Sequence, residues 1–233
     1  MRHDAQVNER HDTSLSFEEY VARFMDDDAG SQVREAGPHW GKGGTRIGGA
    51  DYARLVGALR DARDAIAEAR LDERESAYLA GRIEELTAYA KAIAAPSGER
   101  VWANRFDLTG RGSALPPEME DIRIDPVHGR VTCAVTFGTS YVGAGDAAHG
   151  GAIALFFDEL LGMCSNAGRP VARTAYLHVD YRAVTPLELP LQGAARIDRV
   201  EGRKRFVVGE LRLGDDVVAE AEGLFIELRP WQQ

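Results

Sequence analysis

Apolar positions change their period near Pro96: before it they recur every three or four residues, after it mostly every second one. Ser16 and Glu19 form a capping-box pair that opens a short helix with Phe17, Tyr20, Val21 and Phe24 on one face. From Asp51, the positions Tyr52, Leu55, Val56, Leu59 and Ile66 keep helical spacing. Leu79, Ile83, Leu86, Tyr89, Ala90 and Ile93 make a second stripe, so the two are a hairpin or one long bent helix. The Gly-rich segment "AGSQVREAGPHWGKGGTRIGGA" between the first helix and these reads as a loop.

After Pro96, "RIDPVHGRVTCAVTFG" reads as strand, turn at His128-Gly129, strand. "AAHGGAIALFFDELLG" follows as an apolar helix. "RTAYLHVDYRAV", "LQGAARIDRV", "KRFVVGELRL" and "VVAEAEGLFIEL" are then strands, with turns at Glu201-Gly202 and Gly214-Asp215. One apolar helix followed by a meander of strands predicts an α+β domain, an antiparallel sheet wrapped round that helix. The division is a helical extension over 1–96 and a sheet domain over 97–233.

Composition narrows the class. With 233 residues, 44% of them hydrophobic, the chain can bury one sizeable core. A net charge of −9 argues against a nucleic-acid partner, which would call for a basic face. Cys133 and Cys164 lie in apolar stretches without metal-ligand spacing, so both are expected as free buried thiols of a reducing compartment. The polar start "MRHDAQVNERHDTSL" has no apolar signal region, and no stretch approaches the roughly 18 apolar residues of a membrane span. A cytoplasmic protein is expected, with no metal and no cofactor.

Two Gly-rich stretches imitate nucleotide motifs. "GAGDAA" at 143–148 fits a dinucleotide fingerprint, but hairpin strands follow where a parallel βαβ unit is needed. "GKGGTRIGG" lacks the Lys-Ser/Thr ending of a phosphate loop. The chemistry is better sought at Asp158, an acid in the middle of the apolar helix. A buried unpaired carboxylate costs several kcal/mol or more, so such a group is normally paired or functional. His149-Gly150-Gly151 precedes the apolar run and falls at the helix N-terminus, where unpaired N–H groups and the helix dipole favour a negative oxygen. A glycine there lets a carbonyl approach the backbone, as an oxyanion hole requires.

"AHGGAIALFFDELLG", "TAYLHVDYRAVTPL", "VEGRKRF" and "AEAEGLFIEL" together resemble the hotdog-fold acyl-CoA thioesterases, of the PaaI-like and thioesterase-superfamily-member branches. The resemblance covers about residues 100 to 229. It implies a five- or six-stranded sheet round the helix, in a homodimer or a dimer of dimers. It further implies Asp158 as general base or nucleophile toward the thioester and the Gly150 N–H as oxyanion donor. His149 then shapes the site, with Gly151 beside it, and Thr174 positions the water. Some members carry Asn or Gln six residues before the histidine; Gly143 stands there in this chain. For the coenzyme A phosphates the resemblance favours Arg182, Arg203 and Lys204. Gly150 and Asp158, eight residues apart on one helix, would be about 12 Å apart along its axis, so two chains are expected to share each site. The alternatives are an enoyl-thioester hydratase or dehydratase and a non-catalytic acyl-CoA-binding protein.

Overall fold

A computed structural model describes residues 34–35, 48–96, 99–105 and 108–229. The helix expected around 16–24 and most of the Gly-rich loop, including nearly all of "GKGGTRIGG", lie outside the described residues.

The elements are β1 (Arg34–Glu35), α1 (Asp51–Glu68), α2 (Glu73–Ala92), β2 (Met119–Asp125), β3 (Arg130–Val135), α3 (Gly150–Asn166), β4 (Ala172–Tyr181), β5 (Leu191–Glu201), β6 (Lys204–Leu213) and β7 (Asp216–Glu227). They form one seven-stranded sheet of order β1-β2-β3-β5-β6-β7-β4 in which every pairing is antiparallel. The sequence expectation of a sheet with one apolar helix is met. The short β1, inside the segment read as a loop, adds a strand to the five or six expected. Because β3 and β4 are not neighbours and nothing is parallel, "GAGDAA" has no βαβ context. It forms a 3-10 turn over Ala144–Asp146.

The core lies between α3 and the sheet. Phe156, Phe157, Leu160 and Leu161 of α3 are fully buried against Val131 and Val135 of β3, Leu191 of β5, Leu211 of β6 and Phe225 of β7. Two glycines allow the close approach. A Cβ on Gly193 would stand 2.6 Å from Phe156 Cζ, and one on Gly209 would stand 2.8 Å from Leu161 Cδ2. Cys133 and Cys164 are free and buried. Burial pushes the Cys133 thiol up to about 12 and raises that of Cys164 as well.

Between Asp51 and Pro96 the described helices are two, not one long bent helix. Ala69, the C-cap of α1, is extended, and α2 starts anew on Asp72 with a reciprocal capping box to Glu75. Helix α1 buries Val56 and Arg60, Arg60 donates to the Ser113 carbonyl at 3.0 Å, and Asp64 accepts the Ser140 N–H ahead of α3. No residue of α2 is buried.

Candidate active site

His149 is the N-cap of α3, and its extended backbone turns the chain into the helix. Its Nδ1 accepts the Gly151 N–H at 2.9 Å, which makes that ring nitrogen the unprotonated one. The Gly150 N–H has no recorded hydrogen-bond partner among the described residues, as expected of a first-turn donor. The phenol of Tyr181, at the end of β4, donates to the Gly150 carbonyl at 2.9 Å and pins that peptide from the strand side. Gly143 lies against the same turn. A Cβ there would come 3.0 Å from the His149 Cα and 3.4 Å from the Ala147 carbonyl oxygen, so a longer side chain would displace the turn.

Two turns along α3, Asp158 is half-buried, and its Oδ1 accepts the Thr174 hydroxyl at 2.8 Å. Thr174 lies on β4, the last strand of the sheet order, and is exposed. The apolar helix therefore does not enclose its acid on all sides. It turns Asp158 toward the sheet edge, with one oxygen fixed by a hydroxyl. Glu159, the next residue, is half-buried too. Burial raises its carboxyl above the usual range; Arg111, 3.9 Å away, works against this and the neighbouring Asp158 adds to it.

The basic residues separate into different places. Arg182 is engaged by carboxylates, with Nε 2.5 Å from Glu220 and a further contact to Asp180 at 3.4 Å. Arg203 donates to the Glu227 carbonyl at 2.9 Å and lines a cleft of about 420 Å³ with Arg173, Thr174, Ile226 and Arg229. Lys204 is exposed and is not among the cleft's lining residues.

The chain as a whole is similar to known proteins, although no family model matches it. The acyl-coenzyme A thioesterase THEM4 of Rattus norvegicus is 33% identical over 103 residues, 43% of this chain and 44% of that protein. The Mus musculus protein of the same name is 37% identical over 84 residues, 35% of this chain and 36% of its own. The aligned part thus spans under half the length of these curated relatives. A solved structure described as protein RHA08564, a thioesterase superfamily protein, superposes with a TM-score of 0.67 at 26% identity. That superposition covers 86% of this chain and 98% of the other. The fold is the hotdog fold, and the chain is similar to proteins of the thioesterase superfamily.

Within this hotdog protein, three features of the site were not read from the sequence. Tyr181 carries no local signal beyond its strand, because its partner is a carbonyl 31 positions earlier. Arg173 and Arg229 join Arg203 only through the pairing of β4 with β7 and of β7 with β6. Glu159 was legible as a second acid, but not its burial. None of the described helices is long and apolar enough to cross a membrane. Nor do the described His, Cys, Asp and Glu residues gather into a group that could hold a metal ion.

Proposed function

We propose that the protein hydrolyses an acyl-CoA thioester to a carboxylic acid and coenzyme A, in sites shared by two chains. The reading is supported by one helix that carries both a half-buried acid, oriented by Thr174 at the sheet edge, and a Gly150 backbone donor without a partner among the described residues. Asp158 takes a proton from water as its oxygen attacks the thioester carbon, and the oxygen of the former carbonyl gains negative charge against the Gly150 N–H. Collapse of the tetrahedral intermediate breaks the C–S bond, and the departing thiolate takes up a proton. Direct attack by the carboxylate, forming a mixed anhydride, uses the same groups. His149 and Gly151 hold the turn, with Nδ1 engaged as an acceptor.

Gly150 and Asp158 stand about 12 Å apart along α3, too far for one carbonyl to meet both, since reacting atoms must approach to about 3–3.5 Å. Strand β4 has ten residues and one edge unpaired among the described residues, the kind of edge a second copy covers. In a two-fold pair with antiparallel α3 helices, Gly150 of one chain comes opposite Asp158 of the other. The Arg173, Arg203 and Arg229 cleft is the proposed place for the coenzyme's phosphates. Thr174, which orients Asp158, also lines this cleft, so the pantetheine arm would run from the cleft past Thr174 toward the acid.

The deciding experiment is release of free thiol from a panel of acyl-CoAs, in wild type and in Asp158→Asn. Loss of about 10²–10⁴-fold in turnover with an unchanged melting curve is expected. Tight acyl-CoA binding without turnover in the wild type would instead establish the non-catalytic alternative. Co-refolding Asp158→Asn with Gly150→Pro tests sharing: a mixed dimer has one site with both defects and one with neither. Activity should return to about a quarter of wild type, since random mixing makes half the dimers mixed. No recovery in mixed dimers confirmed by mass would refute sharing.

A further inference from the structure

Helix α1 belongs to the extension, yet two of its acids bond to the chain that leads into α3. Asp64 Oδ1 accepts the Ser140 N–H at 3.1 Å and also the Ser140 hydroxyl. Glu68 accepts the Thr139 hydroxyl at 2.8 Å. The Arg63 guanidinium lies 4.3 Å from the centre of the Tyr141 ring, and the Tyr141 phenol donates to the Leu115 carbonyl at 3.0 Å. Thr139, Ser140 and Tyr141 form a single 3-10 turn. The carbonyl of Tyr141 in turn accepts the His149 N–H at 2.7 Å. His149 caps Gly151 and sets where the Gly150 N–H points.

We infer that α1 is a strut for the oxyanion site, with Asp64 and Arg63 as positioning residues that act on Gly150 through Ser140, Tyr141 and His149. The inference rests on the hydrolase reading for its effect on turnover, but not for its effect on the turn. The strut is one of several supports, the Tyr181 phenol on the Gly150 carbonyl being another. On the other side Ala148 donates to the Thr185 carbonyl at 2.9 Å, so loosening α1 shifts the turn without freeing it. The fit at the α1 contact is tight: a Cβ on Gly138 would come 2.5 Å from Asp64 Oδ2. A displacement of about 1 Å at a reacting group can cost on the order of 100-fold in rate, so a partly loosened donor should lose about tenfold.

The test compares Asp64→Ala, Asp64→Asn and a control, Asp61→Ala, an exposed residue on the same helix. Amide hydrogen exchange over 139–151 and steady-state acyl-CoA hydrolysis are read on each full-length protein. Asp64→Ala should speed exchange across the segment and lower kcat about tenfold while KM stays within about twofold. Asp64→Asn keeps an oxygen for the Ser140 donors and should restore both readouts; Asp61→Ala should leave both unchanged. Gly138→Ala presses on the same contact from the other side and should repeat the Asp64→Ala pattern should that variant fold poorly. Unchanged exchange in Asp64→Ala or Gly138→Ala, or an Asn variant no better than Ala, overturns the strut. A wild type without hydrolysis refutes the proposed function, and exchange alone then decides the strut.

Discussion

Helices α2 and α3 have similar lengths, 20 and 17 residues, and both carry apolar side chains at helical spacing. Nine residues of α3 are buried, and Phe156 has no exposed surface. In α2 no residue is buried, and Leu86 keeps 69% of its surface exposed. The difference lies in what surrounds the apolar positions. Helix α3 is apolar nearly all round, and glycines in the facing strands let it sink into the sheet. Helix α2 alternates its stripe with Glu and Arg, and holds itself by its capping box and an Arg82–Glu85 ion pair at 2.6 Å. Helical spacing therefore says that a segment coils; it does not say that the coil is enclosed.

The largest effect that sharpens this contrast is Phe156→Ala, expected to cost about 3–5 kcal/mol in denaturant unfolding. Its ring fills the space between the sheet and Phe137, whose ring centre is 6.1 Å away. Gly193→Ala attacks the same contact from the sheet. Its Cβ would also stand 3.0 Å from Cys133 Sγ, so a loss of about 1–3 kcal/mol from overpacking is expected, measured in the same way. A variant of wild-type stability would mean that α3 does not sit so deep.

Glu159→Gln should work in the opposite direction. Burial raises the folded-state pKa of Glu159, so the protonated acid suits the fold, and its contribution is full below the unfolded value of about 4.3. That contribution is lost as pH rises through the folded pKa, so at pH 7 the ionised wild type carries a cost that Gln lacks. Thermal melts should place Glu159→Gln slightly above wild type at pH 7, by less than about 1 kcal/mol, with the gap closing toward pH 4. The smallest effect belongs to Leu86→Ala, expected to stay within about 0.5 kcal/mol because the side chain is already in water. A loss of several kcal/mol in that variant would break the comparison, since α2 would then be covered in solution.

Much of the fold was legible. Alternation located every strand from β2 to β7, and the uninterrupted apolar run of α3 against hairpin strands implied an antiparallel sheet round a helix. Both signals are local consequences of side-chain period. In helix α1 the helical spacing of Tyr52, Leu55, Val56, Leu59 and Ile66 matches a helix, yet Leu55 and Leu59 are exposed. The face that docks uses Val56, Arg60, Arg63 and Asp64, whose polar partners are loop atoms at 113, 114 and 140. No periodicity rule marks a helix face that binds by hydrogen bonds to a distant loop.

The candidate site divides in the same way. His149-Gly150-Gly151 and Asp158 could be named from the sequence because a helix start and a misplaced acid are properties of one short segment. That Asp158 meets Thr174, that Tyr181 holds the Gly150 carbonyl, and that Arg182 is held by Glu220 while Arg203 opens into a cleft with Arg173 and Arg229 are facts of strand register. Register is set cooperatively by the whole sheet packing on α3, and a one-residue slip would turn each of these side chains to the other face. The sequence by itself determined which segments coil or extend and which residues bear the chemistry. Only the tertiary structure decided which of them meet, because those contacts join positions dozens of residues apart and are stabilised only once the common core has formed.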